Sequence, residues 1–488
     1  MKKINIILDK KELEYEVHGL MTSFFPGVEI ITKENEEADG SLKIDVSNEL
    51  TIALDFEQIA QKMTIEVPLK DGDFDKGEFG RILYDFLSKV TNKTLPWGNL
   101  TGIRPTKLIR TMLEEEAQKS GASISDAMVK EKVLERAYTE RRLEGEKLTT
   151  GIDIAIRESE IISSLHTADG YSVYVGIPFC PSTCLYCSFT SNPVFKYRKA
   201  MKDYLAAVRK ELLWTAENMK DYILDTVYVG GGTPTTLEPD ELEILLNDIT
   251  TILPWENVKE FTVEAGRADS ITREKLEVLK KYPVTRISVN PQTMSDATLK
   301  LIGRNHTVAQ VVDAYNMARE MGFDNINMDI ILGLPGENCE DVGKTIDEIV
   351  KLDPDSLTVH SLAIKRASRL KKWMDENEMT VTMDYEKAME ISSKGAEAMN
   401  LKPYYLYRQK QMAGNLENTG FAADGKYGLY NILIMEEVQS IVAIGAGSVS
   451  KRVFPDGRIE RCDNIKDIDL YLSKIDEMID RKRELFGE

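Results

Sequence analysis

From Tyr171 onward, short apolar and β-branched runs alternate with longer stretches whose apolar residues recur every three or four positions. The short runs predict buried strands at Ser172–Ile177, Thr226–Val229, Glu260–Glu264, Arg286–Val289, Asn325–Leu332 and Ser356–Ser361. The longer stretches predict helices, among them Tyr197–Glu217, Pro239–Thr251, Arg273–Lys281, Val308–Met321 and Asp341–Leu352. Strand followed by helix, repeated, implies the α/β class, with a parallel sheet and helices outside it. Six such units fit a partial (β/α)6 barrel. In barrels of βα units the chemistry gathers at the C-terminal ends of the strands, which is where candidate residues are sought.

Upstream the pattern differs. Ile4–Leu8, Leu13–Val17, Leu42–Val46, Leu50–Leu54 and Met63–Val67 alternate like half-buried strands, and residues 77–90 carry Phe79, Ile82, Leu83, Phe86 and Leu87 at helical spacing. The expected organisation is an N-terminal α+β domain at 1–95 and a helical linker region at 96–165. A barrel at 166–375 and a mostly helical or mixed C-terminal extension at 376–488, covering the substrate, complete it. A Pro- and Gly-punctuated segment, Leu95–Ile109, holds Trp97, Arg104 and Lys107. It suits either a site for an anion or flat ring or a packed linker.

The first predicted barrel strand runs into Ile177-Pro-Phe-Cys180-Pro-Ser-Thr-Cys184-Leu-Tyr-Cys187. Three clustered thiolates make a soft-ligand site, suited to an iron–sulfur cluster or zinc. Structural zinc takes four protein ligands, and no fourth Cys and no His lies nearby in sequence. Three cysteines on a [4Fe–4S] cluster leave one iron open for a substrate or cofactor. The other two cysteines, Cys339 and Cys462, read as packed side chains. The four histidines are too scattered to suggest a metal site by spacing.

Composition narrows the partners. Hydrophobic content of 42% and charged content of 29% are those of a globular protein. A net charge of −19 argues against broad nucleic-acid binding. No apolar run reaches the roughly 18 residues of a membrane span. The N-terminal apolar run is broken at Asp9, Lys10 and Lys11, unlike a signal peptide. Cytoplasmic residence is expected.

The remaining predicted strand ends also carry polar groups. After the second strand, Gly230-Gly-Gly-Thr-Pro-Thr235 offers backbone with no Cβ, which a ligand approaches closely. Glu264 ends the third strand, as a carboxylate for ribose hydroxyls or an amino group, or as the partner of nearby Arg267. Asn290-Pro-Gln292 ends the fourth, Arg304 follows, and Asp329 lies on the fifth. Their recurrence at successive strand ends favours a shared pocket.

Cys-x3-Cys-x2-Cys with an aromatic before the last Cys resembles the signature of the radical S-adenosylmethionine (SAM) superfamily. The order of Tyr174-x-x-Ile-Pro-Phe-Cys180, Tyr186-Cys187, Gly-Gly-Gly-Thr-Pro-Thr, Val-Glu-Ala-Gly-Arg267, Gln292, Arg304 and Asp329 resembles one branch. It is the oxygen-independent coproporphyrinogen III oxidase (coproporphyrinogen dehydrogenase) family. Trp97-Gly-Asn-Leu-Thr-Gly-Ile-Arg-Pro-Thr-Lys107 and Pro403-Tyr-Tyr-Leu-Tyr-Arg-Gln-Lys410 extend the resemblance to its HemZ-type subgroup.

The resemblance implies a [4Fe–4S] cluster on Cys180, Cys184 and Cys187, with SAM chelating the open iron. It places Tyr174, Gly231, Glu264, Ala363 and Val449 around that SAM. Tyr186, Gly232, Thr233, Gln292, Arg304 and Asp329 match positions around a second SAM in the founding enzyme. The implied reaction is oxidative decarboxylation of coproporphyrinogen III propionates to vinyls, giving protoporphyrinogen IX in heme biosynthesis. The implied partners are the tetrapyrrole and a small electron donor such as flavodoxin or ferredoxin. Arg104, Arg366 and Arg408 are candidates for pairing the propionates. Two departures stand out. The founding decarboxylase has a His where this chain has Gly176, and a further Cys where Ser188 and Phe189 follow Cys187. A heme-binding chaperone of the same family, or a radical SAM enzyme modifying another tetrapyrrole, would share the SAM residues.

Overall fold

The computed structural model describes residues 2–487 apart from 33–36, 47–48, 66–74, 102–103, 188–191, 363–368, 378, 380–382 and 409–416. It divides into two compact units, one of residues 1–156 with 406–417, the other of residues 157–405 with 418–488.

The first unit has a five-stranded sheet in the order Glu29–Ile31, Lys3–Leu8, Gly40–Val46, Leu50–Phe56, Ile59–Ile65. The first two pairings are parallel and the others antiparallel. Helices Glu14–Phe24 and Lys76–Thr91 share its core through Val17, Leu20, Met21, Phe24, Phe79, Leu83 and Leu87. The strand expected at Leu13–Val17 is therefore corrected to a short 3-10 turn leading into a helix. Positions 13 and 17 are apolar under either period. Leu20, Met21 and Phe24 continue the helical one, and burial of that stripe decides the outcome. Glu29–Ile31 was not expected as a strand, and residues 66 and 67 of the expected Met63–Val67 strand lie outside the described residues. A second, helical core forms around fully buried Trp97, with Ile109, Leu113, Val129, Val133, Leu148 and Ile152. The Trp97 indole N–H donates to Glu417 at 2.7 Å.

In the second unit six parallel strands lie side by side in chain order: Gly170–Ile177, Ile223–Gly231, Glu260–Glu264, Arg286–Ser288, Ile326–Leu332 and Ser356–Ser361. Helices Met201–Asn218, Pro239–Ile252, Arg273–Lys281, Val308–Glu320 and Cys339–Leu352 fall between strands, near the expected positions. The sheet continues past both edges. Ser440–Ile444 adds a seventh parallel strand beside Gly170–Ile177, and the hairpin Val449–Val453, Ile459–Asp463 follows it. On the other side Asn418–Ala422 pairs antiparallel with Ser356–Ser361, with Lys402–Tyr407 beyond. The C-terminal part thus supplies five strands among the described residues, where a mostly helical or mixed extension was expected.

Alternation along the strands sets which residues share the inner face. Tyr174, Tyr228 and Thr262 stand in one row, and Gly176, Gly230 and Glu264 in the next. Gly230 has a packing reason. A Cβ there would lie 2.8 Å from the Glu264 carboxyl carbon.

Candidate active site

The cysteine loop is held by its neighbours on all sides. Leu185 N–H donates to Ile302 O at 2.8 Å, and Ser182 Oγ donates to Gly303 O at 2.8 Å. Arg267, almost fully buried, donates to Ser182 O and Oγ at 3.0 Å and reaches Cys184 Sγ at 3.6 Å. The rest of its guanidinium grips Asp269 at 2.9 and 2.6 Å. From the next strand end, Thr233 Oγ1 donates to Cys180 Sγ at 3.4 Å. Burial pushes the Cys180 thiol up to about 11, offset in part by Thr233. Cys184 is buried, and Cys180 and Cys187 are partly exposed.

The glycine segment lies directly against this loop. Gly232 N–H donates to Ile177 O at 3.0 Å and Thr233 N–H to Phe179 O at 2.7 Å. Gly231 has φ +99°, a conformation open to glycine. A Cβ on Gly232 would fall 2.6–2.7 Å from backbone atoms of Ile177 and Phe179. No side chain fits there without moving the cysteine loop.

Glu264 lies beside Gly231. It accepts from Tyr228 Oη at 2.5 Å, and burial raises its pKa to about 7 despite that bond and one from the Gly231 N–H. The alternative partner for Glu264, Arg267, is engaged elsewhere, as just described. Tyr228 belongs to a cluster of three mutually stacked tyrosines. Its ring centroid is 6.1 Å from Tyr174 and 4.6 Å from Tyr430, and Tyr174 and Tyr430 also stand 6.1 Å apart. Tyr430 lies in the first turn of the helix Leu429–Glu436, whose first N–H groups donate to buried Glu260 at 2.6 and 3.2 Å. Burial holds that carboxyl above its ordinary range, and the N–H donors work against the rise.

A second group lies on the following strands. Asn327 Nδ2 donates to Asp329 at 2.6 Å, and His360 Nε2 stands 3.9 Å from the same carboxylate. Burial works to raise the Asp329 pKa, but His360, Asn327 and Thr358 carry it below the ordinary value. Gln292 joins this group through its backbone, its N–H donating to Asp329 O at 2.9 Å, with φ +67°. Buried Arg304 donates to Asn290 O at 2.6 Å and Gly266 O at 3.3 Å, and it hydrogen-bonds Tyr186, whose hydroxyl pKa burial raises.

Val449, 37% exposed, follows the Gly445–Ser448 loop. That loop touches the first strand end. Tyr204 Oη donates to Gly176 O at 2.7 Å and accepts from Ala446 N–H at 3.1 Å. A Cβ on Gly176 would already sit 3.3 Å from Ile444 O. Ala363 lies outside the described residues, as do Arg366, Ser188 and Phe189. Arg408 and Arg104 belong to the unit without the cysteines. There Arg408 is buried and donates to Leu100 O at 2.7 Å.

Sequence reasoning missed Arg267 as the clamp on the cysteine loop, and it missed Tyr228, Tyr430 and His360. Strand register carried a signal for two of them. Tyr228 pairs with Tyr174, and Thr358, two residues before His360, pairs with Asp329. Two of the scattered histidines pair with carboxylates. His306 and His360 stand 3.5 and 3.9 Å from the carboxylates of Asp269 and Asp329.

Among the described residues no three His, Cys, Asp or Glu side chains are set for a metal ion as they stand. The case for a cluster rests on the soft donor set, the donors aimed at Cys180 and Cys184, and the Cβ-free backbone beside them. These residues fit a thiolate-held iron–sulfur cluster with a ligand against the glycines. The Radical SAM superfamily profile matches residues 174–349. The oxygen-independent coproporphyrinogen-III oxidase-like protein HemZ of Bacillus subtilis is 38% identical over 83% of this chain and 80% of its own. The chain belongs to the oxygen-independent coproporphyrinogen III oxidase-like family of radical SAM proteins. The cofactors of this superfamily are a [4Fe–4S] cluster and SAM. The heme chaperone HemW of Bacillus subtilis is 37% identical over 40% of this chain and 51% of its own. Coproporphyrinogen III oxidase (HemN) from Escherichia coli superposes with a TM-score of 0.52 at 18% identity, covering 69% of this chain and 74% of that one. It shares the radical SAM barrel fold. No helix among the described residues is long and apolar enough to cross a membrane.

Proposed function

We propose that this family member removes CO2 from the propionates of coproporphyrinogen III without oxygen, leaving vinyl groups. The observation that carries the reading is the 3.4 Å contact between Thr233 of the glycine segment and Cys180, which joins the cysteine loop to the Cβ-free backbone of Gly230–Gly232. Identity to HemZ over four-fifths of each chain supports the tetrapyrrole substrate.

When bound, the cluster and SAM supply a 5′-deoxyadenosyl radical, which abstracts hydrogen. For each propionate, one hydrogen atom goes to the radical, one electron goes to a one-electron acceptor and CO2 leaves, so that –CH=CH2 remains. Cys180, Cys184 and Cys187 would hold the cluster, while Thr233 and Arg267 place N–H and O–H dipoles toward its sulfurs. Gly230–Gly232 open the backbone to SAM. Tyr174, Gly231, Glu264, Ala363 and Val449 surround it in this reading, with Glu264 accepting hydrogen bonds from amino or ribose groups. Tyr186, Gly232, Thr233, Gln292, Arg304 and Asp329 line the space beyond, for a second SAM or the substrate.

Gly176 favours a second reading. No imidazole stands at that position, and Gly176 packs instead against Ile444 and Ser448. The HemW relatives add weight to a heme-chaperone role. Anaerobic reconstitution with iron and sulfide, followed by reductant, SAM and coproporphyrinogen III, separates the readings by mass spectrometry. Decarboxylated product together with 5′-deoxyadenosine is the expected result. SAM cleavage with the porphyrinogen intact redirects the assignment to another tetrapyrrole. An intact cluster that never cleaves SAM favours the chaperone.

A further inference from the structure

Whatever its substrate, a cluster that reduces SAM needs an electron from outside, and the surface beside Cys180 has the character of a docking face. Phe179 and Cys180 pair with Asn192 and Pro193, and Asn192 donates twice to Pro178 O, at 2.8 and 3.1 Å. This tie brings the short helix Val194–Tyr197 alongside the first cluster cysteine. On it Phe195 is 71% exposed, the most exposed large apolar side chain among the described residues. Single exposed apolar residues are ordinary. This one lies in a lysine-rich segment, where exposed Lys196, Lys199 and Lys202 outnumber the one exposed acid, Asp203.

Lys196, Lys199 and Lys202 are exposed, and none of them is in an ion pair among the described residues. Arg198, by contrast, is tied down by Glu238 and Glu241. Lys300 and Arg369 are also exposed, and Arg369 donates to Thr183 O in the cysteine loop at 3.5 Å. Lys371 and Lys372 are neutralised by Asp375 and Glu376. A chain with a net charge of −19 therefore carries an excess of exposed lysines on the segment tied to Cys180, with an aromatic side chain standing out among them.

We propose that Phe195, Lys196, Lys199 and Lys202 form the docking face for an acidic one-electron donor protein, with its redox centre brought up to Cys180. The proposal rests on the cluster assignment above. In the step, the donor is oxidised by one electron, the cluster is the acceptor, and no atom or proton is transferred. Small, weakly held interfaces suit electron-transfer partners, and charge complementarity acts mainly on their rate of encounter.

The test uses the full chain, anaerobically reconstituted, with cluster bleaching followed by stopped flow. Fully reduced flavodoxin, a small acidic flavoprotein, is the protein donor. Photoreduced 5-deazariboflavin, small and uncharged, is the control. The K196E/K199E variant is expected to slow reduction by flavodoxin about tenfold at low ionic strength and to flatten its salt dependence. Its deazaflavin rate should stay within about twofold of wild type. Phe195→Ser, which leaves the charge unchanged, should slow the flavodoxin reaction with its salt slope preserved. An unchanged flavodoxin rate in both variants overturns the proposal. So does an equal loss with both reductants, which would place the effect on the cluster. Failure of the cluster assignment shows separately, as wild-type protein that takes up no iron and sulfide, and it removes the proposal too.

Discussion

Lys482 sits on the C-terminal helix Ile475–Phe486 and is fully buried. Its ammonium contacts Glu211 at 2.5 Å and Asn464 Oδ1 at 2.7 Å. Glu211, also fully buried, accepts further bonds from Asn464 Nδ2 and Gly445 N–H, both at 2.8 Å, and from the Tyr471 hydroxyl. Lys482→Met keeps most of the volume and removes the charge. A carboxylate then stays buried without its counter-ion, a change that costs about 3–5 kcal/mol when a buried pair is broken. Three remaining donors offset part of this, so about 3 kcal/mol is expected. The E211Q/K482M double variant removes both charges and should recover at least half of the loss. Urea unfolding of the apo-protein measures both. The consequence reaches the site, because Glu211 holds Gly445 and the Gly445–Ser448 loop lies against Gly176. SAM affinity of the reconstituted K482M protein should fall about tenfold, or ~1.4 kcal/mol. A single-variant cost under about 1 kcal/mol, or a double variant no better than the single, would refute the reasoning.

Other consequences follow from the same contacts. Cys184→Ala should abolish the absorbance of the reconstituted cluster, and an unchanged spectrum would sink the central assignment. Gly232→Ala drives a methyl into the backbone of Ile177 and Phe179. It should cost about 2 kcal/mol, read from denaturation midpoints, and lower the iron content after reconstitution. Glu264 has a folded-state pKa raised to about 7. Its contribution to stability is present below the unfolded carboxyl range and lost as pH rises through 7. Between about pH 5 and pH 8 wild type should lose roughly 2–3 kcal/mol relative to Glu264→Gln. Parallel pH profiles in urea would count against the buried-carboxyl argument. Trp97→Phe removes the indole donor to Glu417 and should lower stability by about 1–3 kcal/mol, seen as an earlier thermal transition.

The parts of this site that could be read from sequence are those whose cause is local. Cys180, Cys184 and Cys187 share one loop. Gly230–Gly232 are legible because an absent Cβ has its effect where it occurs. Most barrel strands were placed to within a few residues because a strand buried on both faces is a continuous apolar run. Ser440–Ile444 is such a run too, but it lies outside the βα alternation and pairs with Tyr171–Val175, far back in the chain. Leu13–Val17 misled for the opposite reason, being too short a window to separate a period of two from one of 3.6. What holds the site depends on distant pairings. Arg267 meets Ser182 across 85 positions, and Lys482 meets Glu211 across 271. Neither pair has a spacing that a motif could encode, since an ion pair needs only opposite charges that the fold brings together. The strand register offers an intermediate case. Once Tyr174 is set opposite Tyr228, and Thr358 opposite Asp329, the side-chain period of two carries Tyr228 and His360 onto the face of the candidate residues. Knowledge of pairing, added to pattern, therefore recovers both of these, while the clamps and the helical Tyr430 need the folded chain.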